Sequence, residues 1–536
     1  MANFGFIIDN RRCIGCHACT VACKSEHNVP VGVNRTWVKY IEKGEFPDSR
    51  RLFSVMRCNH CDDAPCVEIC PVTALYRRED GIVDFDNRRC IGCKACMQAC
   101  PYDALYIDPQ THTAAKCNYC AHRVDVGLEP ACVVVCPTQA IISGDLDDPE
   151  SNISRLRSRH QVTARKVEKG TLPKLFYIEG DTASLDPLGT SPLDTGSVWG
   201  SQVRGVGHHA PGAELATQHA LDRLGQLLSL GEQQAGVSPR LIEDVRQTLA
   251  TPPRRAYDAP KKGVLWGWPV TAYLWTKALA AGAILLPVSA VLFQLAALPR
   301  WVEFLAIVIA VLFLCATGGL LVIDLDQPKR FLNVLLRPQW RSWLVRGAYI
   351  ITGFGLLLPL YFLALLLGGN GAAASLLRLL LLVFAGLSAV YTAFLFAQAK
   401  GRDSWQSPLL PLQMALHAVI LGAACFGLCA PWASGEWSRL LQLALGLGLI
   451  AHLGTDLSDL FLTHSSEAAA RVSHSLTHGR FRRLYWSTLL VGMLLPAALC
   501  LLAGPVWLPV AAILAAAGTY VSQHLLVYAG QQLPLS

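Results

Sequence analysis

Charge is scarce in this sequence. Asp, Glu, Lys and Arg make up 16% of 536 residues, against 52% apolar, which excludes one small soluble domain. An acidic excess is missing as well, the formal charge being +7. That balance invites a nucleic-acid reading, yet no RNA- or DNA-binding motif is present. The basic residues fall in short loops between apolar runs, where membrane topology explains them better. The amino terminus lacks an apolar h-region: "MANFGFIIDNRRCIGC" runs straight into cysteines. Neither a Sec nor a twin-arginine leader is therefore expected. Cysteine is missing from 137 to 314, and metal-ligand spacing from 146 to 262.

What fills the first 145 residues is cysteine. Of 20 cysteines, 16 lie between Cys13 and Cys136. The first group, Cys13, Cys16, Cys19 and Cys23, is spaced C-x2-C-x2-C-x3-C. The second, Cys58, Cys61, Cys66 and Cys70, is spaced C-x2-C-x4-C-x3-C and followed by Pro71. Cys90, Cys93, Cys96 and Cys100, with Pro101, repeat the first spacing. In the fourth group, 11 residues separate Cys117 and Cys120 from Cys132 and Cys136, and Pro137 follows. The remaining Cys315, Cys425, Cys429 and Cys500 lie in apolar runs and read as buried small hydrophobes.

A disulfide framework does not repeat a C-x2-C unit four times. Structural zinc accounts for a single such pair and not for four complete groups. The repeat has the spacing of bacterial ferredoxins, in which three thiolates on a tight loop grip one cubane. The fourth, before a proline, serves the neighbouring cluster. Sixteen ligands then make four [4Fe–4S] clusters in two ferredoxin-like folds. The segments "CPVTAL", "CPYDAL" and "CPTQAI" are expected to start a short helix behind each shared ligand. A cubane held by four cysteines leaves no iron open to a substrate, so residues 1–145 read as a wire and not as a catalytic centre.

The order of the groups, with "CNHCDDAPCVEICP" and the long insertion in the fourth, resembles the four-cluster subunits of molybdopterin oxidoreductases. The iron–sulfur subunits of dimethyl sulfoxide, polysulfide and tetrathionate reductases, formate dehydrogenases and sulfite dehydrogenases are examples. The resemblance covers about 4–180. It implies that groups one and four fold together, as do groups two and three, and that a molybdopterin-containing catalytic subunit docks on residues 1–180. No cysteine is replaced, so nothing points to a three-iron cluster.

Residues 181–262 read as a linker with short helices over 213–230 and 238–250. His208 and His209 there are a weak metal hint. From 263 to 536 the chain carries eight apolar spans, each near the 20 residues that cross a bilayer. They cover about 268–294, 302–323, 347–367, 377–398, 412–431, 440–461, 486–504 and 506–529. Fifteen basic residues, from Arg254 to Arg483, fall on one side of this arrangement and three, Arg300, Arg378 and Arg439, on the other. The positive-inside rule then puts both ends in the cytoplasm. The expected location is multi-pass in a bacterial inner (cytoplasmic) membrane, with the iron–sulfur domain on the cytoplasmic side.

The stretches "WGWPVTAYLWTKALAAG", "DLDQPKRFLNVLLRPQWRSWLVRGA" and "LLVYAGQQLPLS" resemble the NrfD-type membrane subunit of polysulfide reductase and its relatives. That resemblance implies a helical bundle without haem that exchanges electrons with a quinone, menaquinone or ubiquinone. It also implies that the quinone lies near the iron–sulfur partner and close to a polar residue of the first helix. Independently, ionisable residues concentrate in the cytoplasmic halves of the spans, and such residues usually mark functional paths. Tyr273, Lys277, Asp324, Tyr391, His452 and Asp456 are the candidates for quinone contact or proton relay.

Lys277 is expected to donate to a quinone oxygen or to pair with Asp324 or Asp456. The bland readings are a snorkelling Lys277, a structural His452–Asp456 pair and a solvated Asp324. His417, His452 and His524 leave a paired-histidine haem open, with nothing else in its favour. The outer halves offer little beyond Gln294 and Glu303.

The fold class expected is an α+β tandem ferredoxin-like domain followed by an all-α membrane bundle of about eight helices. The expected function is an electron-transfer and membrane-anchor subunit of a respiratory molybdopterin oxidoreductase, a sulfite or other sulfur-compound dehydrogenase first. The alternatives are the equivalent subunit of a hydrogenase or heterodisulfide-reductase-like complex, or a proton-pumping complex.

Overall fold

A computed structural model describes residues 2–44, 49–190, 253–259, 262–369, 371–429, 435–461 and 463–536. The helices expected at 213–230 and 238–250, with His208 and His209, lie outside these residues.

The amino-terminal part is built from small sheets wrapped around the cysteine loops. Strand β1 (Phe4–Asp9) leads into Cys13, and β8 (Ile141–Asp145) leaves Cys136. The two pair antiparallel, Phe4 opposite Asp145 and Ile8 opposite Ile141. This closes groups one and four into one unit; β10 (Leu175–Ile178) adds to β1 in parallel, and β9 (Val162–Thr163) pairs antiparallel on the far edge of β10. Groups two and three are joined by two hairpins, β4 (Leu75–Arg77) with β5 (Val83–Phe85), and β6 (Leu105–Ile107) with β7 (Ala114–Lys116). A third sheet of β2 (Thr36–Lys43) and β3 (Arg50–Arg57) takes β11 (Arg254–Tyr257) at its edge, just before the membrane part begins.

The repeat reaches the backbone. "CIGCHAC" and "CIGCKAC" both carry left-handed residues at the glycine and at the residue after the second cysteine: Gly15 and His17, then Gly92 and Lys94. Behind each Cys-Pro pair the chain does not start a helix, contrary to the expectation from "CPVTAL", "CPYDAL" and "CPTQAI". The short helices Pro65–Glu68, Ala95–Ala99 and Ala131–Val134 come before the fourth cysteine instead. Proline disfavours the helical region for the cysteine preceding it. Thr73, Asp103 and Gln139 then take positive φ, turning the chain into the next strand. In two cases that turn aims a backbone N–H back at the sulfur, Ala74 at Cys70 (3.3 Å) and Ala140 at Cys136 (3.2 Å).

Eight helices are long and apolar enough to cross a membrane among the described residues: Trp268–Leu292, Arg300–Ile323, Trp343–Leu366, Ala372–Gln398, Leu410–Gly427, Gly435–Phe461, Arg482–Leu502 and Pro505–Ala529. The first span is the most enclosed, packing against the second, fourth, fifth and eighth. The second and third turn most of their side chains outward. Cys315 is exposed there, so it is not a core residue; of the four late cysteines Cys500 is the buried one.

The two parts share one core. Cys58, Cys70, Cys93 and Cys96 pack in the same apolar cluster as Trp266, Val270, Tyr273, Phe396, Trp405 and Met414. Backbones meet at the seam. Gly401 lies so close to group three that a Cβ there would fall 2.6 Å from the Gln98 carbonyl and 2.8 Å from that of Cys100. Gly92, at φ +71, leaves the same lack of room against Asp326. Side chains lock the contact: Arg402 Nε donates to Gln98 Oε1 (2.8 Å), Ser342 to the Ile69 carbonyl (2.7 Å), and Lys94 pairs with Asp326 (3.0 Å).

Candidate functional site

The sixteen thiols assort into four sets that cross the sequence groups. Cys136 joins Cys13, Cys16 and Cys19 around one small cavity. Cys23 faces Cys117, Cys120 and Cys132; burial first, and then these thiolates, hold its thiol far above the ordinary range. Cys100 stands against Cys58, Cys61 and Cys66. Cys70 completes Cys90, Cys93 and Cys96. Each fourth cysteine thus serves the set of another group, as ferredoxin spacing requires.

All sixteen are free of disulfides. Among the described residues no three His, Cys, Asp or Glu side chains converge closely enough for a single metal ion. A cubane spreads its thiolates over four separate irons, so the sets fit clusters and not mononuclear zinc. Bound there, an iron–sulfur group would be held by thiolates supplemented by backbone N–H donors to Cys58, Cys70, Cys90 and Cys136.

The sets also run in a line. Cys19 bears on Cys132, Cys117 on Cys58, and Cys66 on Cys96. At the outer end Cys16 is exposed, amid Ile14 (57% exposed), Val21 (63%) and Val134 (61%). At the inner end the Trp266 indole donates to the Cys93 carbonyl (3.1 Å) and Asp324 acts electrostatically on Cys93. Trp266 stacks on Trp405 at 5.5 Å, and Trp405 on Phe396 at 4.7 Å. Burial pushes the Asp324 carboxyl up to about 6, with Lys94 pulling against the rise.

The six membrane candidates divide into two groups. Tyr273, Lys277, Tyr391 and Asp324 cluster at the inner end of the wire. Lys277, 1% exposed, does not snorkel. It donates to the Thr392 hydroxyl and to the Ala389 carbonyl (3.2 Å), and its ammonium sits 4.4 Å over the Tyr391 ring. Neither Asp324 nor Asp456 pairs with it; its partners all come from the fourth span. A lysine at bilayer depth costs roughly 3 kcal/mol. A desolvated cation–π contact of about 2 kcal/mol plus hydrogen bonds to a charged donor offsets that. Tyr273 lies within electrostatic reach of both Tyr391 and Asp324.

His452 and Asp456 belong elsewhere, on a cavity of about 450 Å³ between spans five to eight. His452 Nδ1 is 3.3 Å from Asp456, and its Nε2 contacts that of His417, the rings stacked at 4.5 Å. The histidine pair is in direct contact. Gln523 reaches His417 Nδ1 (3.1 Å), while Gln413 bridges Asp456 (3.3 Å) and Asp459 (3.2 Å). Lys277 lies within electrostatic reach of His417, which links the groups. Gln413, Thr392 and Gln523 were invisible in the sequence as partners, since each acts across spans. A third polar group joins Glu303, Tyr361 and Arg378 in the outer half, Arg378 Nε donating to Tyr361 (2.9 Å) and Nη2 standing 3.3 Å from Glu303.

Comparison with known proteins bears on both parts. The polysulphide reductase NrfD family model matches residues 259–534. The protein belongs to the NrfD family. Ahead of the NrfD domain, two models of 4Fe-4S dicluster domains match 12–75 and 50–146. A tetrathionate reductase subunit of Salmonella typhimurium is 46% identical over 189 residues, covering 34% of this chain and 76% of that protein. A polysulfide reductase polypeptide of Wolinella succinogenes is 42% identical over 188 residues, 34% of this chain and 97% of its own. Protein NrfC of Escherichia coli is 44% identical over 178 residues, 33% and 80%. This NrfD protein is therefore an electron-transfer iron–sulfur domain fused to a multi-pass membrane domain.

Proposed function

We propose that this chain passes electrons between a separate molybdopterin-containing catalytic subunit and the membrane quinone pool. The route is four [4Fe–4S] clusters in a domain facing the cytoplasm of a bacterial inner membrane. The line of cysteine sets, from exposed Cys16 to Cys93 against Trp266 and Asp324, carries this reading. The clusters supply one-electron transfer; quinone conversion takes two electrons and two protons.

The exposed Ile14, Val21 and Val134 around the outer set are the apolar face on which a catalytic partner docks. At the other end Tyr273 and Lys277 orient the quinone headgroup. A quinone oxygen can take over the Lys277 ammonium from the Thr392 hydroxyl without stranding a carboxylate. Tyr391 holds that ammonium in place, and Asp324 stands between Cys93 and Tyr273. Asp459, Gln413, Asp456, His452 and His417 form a file of polar contacts, hydrogen-bonded except across the 3.3 Å approach of Asp456 to His452 Nδ1, that carries protons from the cavity towards Lys277.

A catalytic face in the cytoplasm favours oxidation of a cytoplasmic sulfur compound, sulfite first, with quinone reduction. The names of the Salmonella and Wolinella relatives, which refer to tetrathionate and polysulfide, support the sulfur class. Isolation of the native complex tests the reading. A co-purifying large subunit with molybdopterin and sulfite–quinone turnover is expected. A hydrogenase or heterodisulfide-reductase-type partner would replace the substrate half, and proton translocation beyond the scalar stoichiometry would add a pump.

A further inference from the structure

Arg57 is among the most deeply buried large side chains of the protein, 1% exposed. It is the last residue of β3 and faces thiols of the first two cysteine sets of the line. Nη1 donates to Cys132 Sγ at 3.1 Å, and the guanidinium lies over the Phe6 ring at 4.5 Å. Nε and Nη2 have no hydrogen-bond partner, and among the described residues no carboxylate lies within ion-pair distance of it. A permanently charged group buried in this way is strongly disfavoured unless something nearby supplies negative charge. The counter-charges within reach are thiolates: Cys132, Cys117 and Cys19.

The four sets differ in this respect. The set of Cys23, Cys117, Cys120 and Cys132 receives two side-chain donors on sulfur, Arg57 on Cys132 and His27 Nε2 on Cys120 at 3.2 Å. The set of Cys58 has one cationic donor, Lys116 at a longer 3.6 Å, and the neutral Thr171 hydroxyl at Cys61. The outermost and innermost sets receive no cationic or ring N–H donor: backbone N–H groups reach Cys136, Cys70 and Cys90, and in the outermost set the Thr20 and Thr138 hydroxyls face Cys19 and Cys136. The innermost also has the Asp324 carboxyl acting on Cys93.

We propose that Arg57 makes the cluster of Cys23, Cys117, Cys120 and Cys132 the highest-potential station of the line, where an electron rests between its two neighbours. The inference rests on clusters being bound as proposed above. The change that Arg57 favours is the gain of one electron from an adjacent cluster, with no bond made or broken and no proton moved. The added negative charge falls on the cluster and its thiolates, so a fixed cation and a donor at sulfur stabilise the reduced form. Arg57 is a positioning residue for charge; it ligates no iron. Both ends of such a relay exchange electrons in pairs, so a resting place inside it lets single transfers be gathered.

The test is a redox titration of the full-length protein, purified anaerobically and followed by electron paramagnetic resonance, with iron and sulfide measured on the same samples. In Arg57→Gln one of the midpoint potentials moves downward. At the parent midpoint the reduced fraction of that cluster falls from half to about one-tenth or less, the size expected for losing a charge-assisted bond. Arg57→Lys keeps the charge and retains most of the potential. His27→Leu lowers the same cluster by less, and Lys116→Met moves a different one. Full iron with all four potentials unmoved in Arg57→Gln overturns the proposal, as do equal shifts in Arg57→Gln and Arg57→Lys. If both Arg57 variants lose iron, His27→Leu decides: unmoved potentials there make Arg57 structural and end the proposal. Absence of iron from the unaltered protein would instead strike the cluster reading itself.

Discussion

The two ends of the membrane bundle treat a buried cation in opposite ways. In the outer half Arg378 has a carboxylate, Glu303, and a shared phenol, Tyr361. In the cluster-facing half Lys277 has a hydroxyl, a carbonyl and an aromatic face, and among the described residues no carboxylate. The first arrangement is closed: every charge is answered and the group ties spans two, three and four together. The second is open, since each neutral partner can be exchanged for a ligand oxygen at little cost. A buried charge with its counter-ion fits a structural role here, and one without fits the chemistry proposed above.

That contrast can be broken most severely at Glu303. Glu303→Gln leaves Arg378 buried and unneutralised, so thermal unfolding in detergent should show a loss of about 3 to 5 kcal/mol. Adding Arg378→Met should restore most of it, because a whole pair replaced by apolar groups is near neutral. Lys277→Met should behave oppositely. Quinone-linked turnover falls at least about tenfold, worth roughly 1.4 kcal/mol in the barrier, while iron content and unfolding temperature hold. Normal turnover in that variant would return Lys277 to a packing role.

Asp456→Asn should slow turnover by a few-fold only, since a cavity of this size lined by His452 has room for water to supply a second path. Stopped-flow proton uptake with a pH dye separates this from a change in electron delivery. The smallest effect belongs to Asp324. Its folded-state value of about 6 lies above the ordinary 3.8, so the folded protein keeps the proton through that interval. The stability it contributes is full below about pH 4 and is lost as pH rises through 6. Asp324→Asn should flatten the unfolding temperature across this window and leave the variant slightly favoured at pH 7 to 8.

Much of this is legible in the sequence. Apolar runs fix the spans within a few residues, as with 268–294 against Trp268–Leu292, because length and composition are local properties. Cysteine spacing fixes ligand number, and the exchange of fourth ligands follows from ferredoxin geometry. The Cys-Pro segments misled, because their turns depend on left-handed φ at Thr73, Asp103 and Gln139, residues with no shared chemistry. The membrane candidates were found one by one, but not their division. Lys277 meets the fourth span and His452 the fifth, and no periodicity along one helix tells which neighbour it will face. Arg57 was missed because a basic residue beside a cysteine is ordinary in sequence; its burial alone sets it apart.

The exchange of fourth ligands has a consequence for synthesis. The innermost set is complete once Cys96 has been made, the next at Cys100, the third at Cys132, and the outermost only at Cys136. Each of these positions precedes Trp268, where the first span begins. As the nascent polypeptide leaves the ribosome, then, its binding sites close in order from the membrane end outward. The stretch that must enter the bilayer follows a domain whose sixteen ligands are already translated.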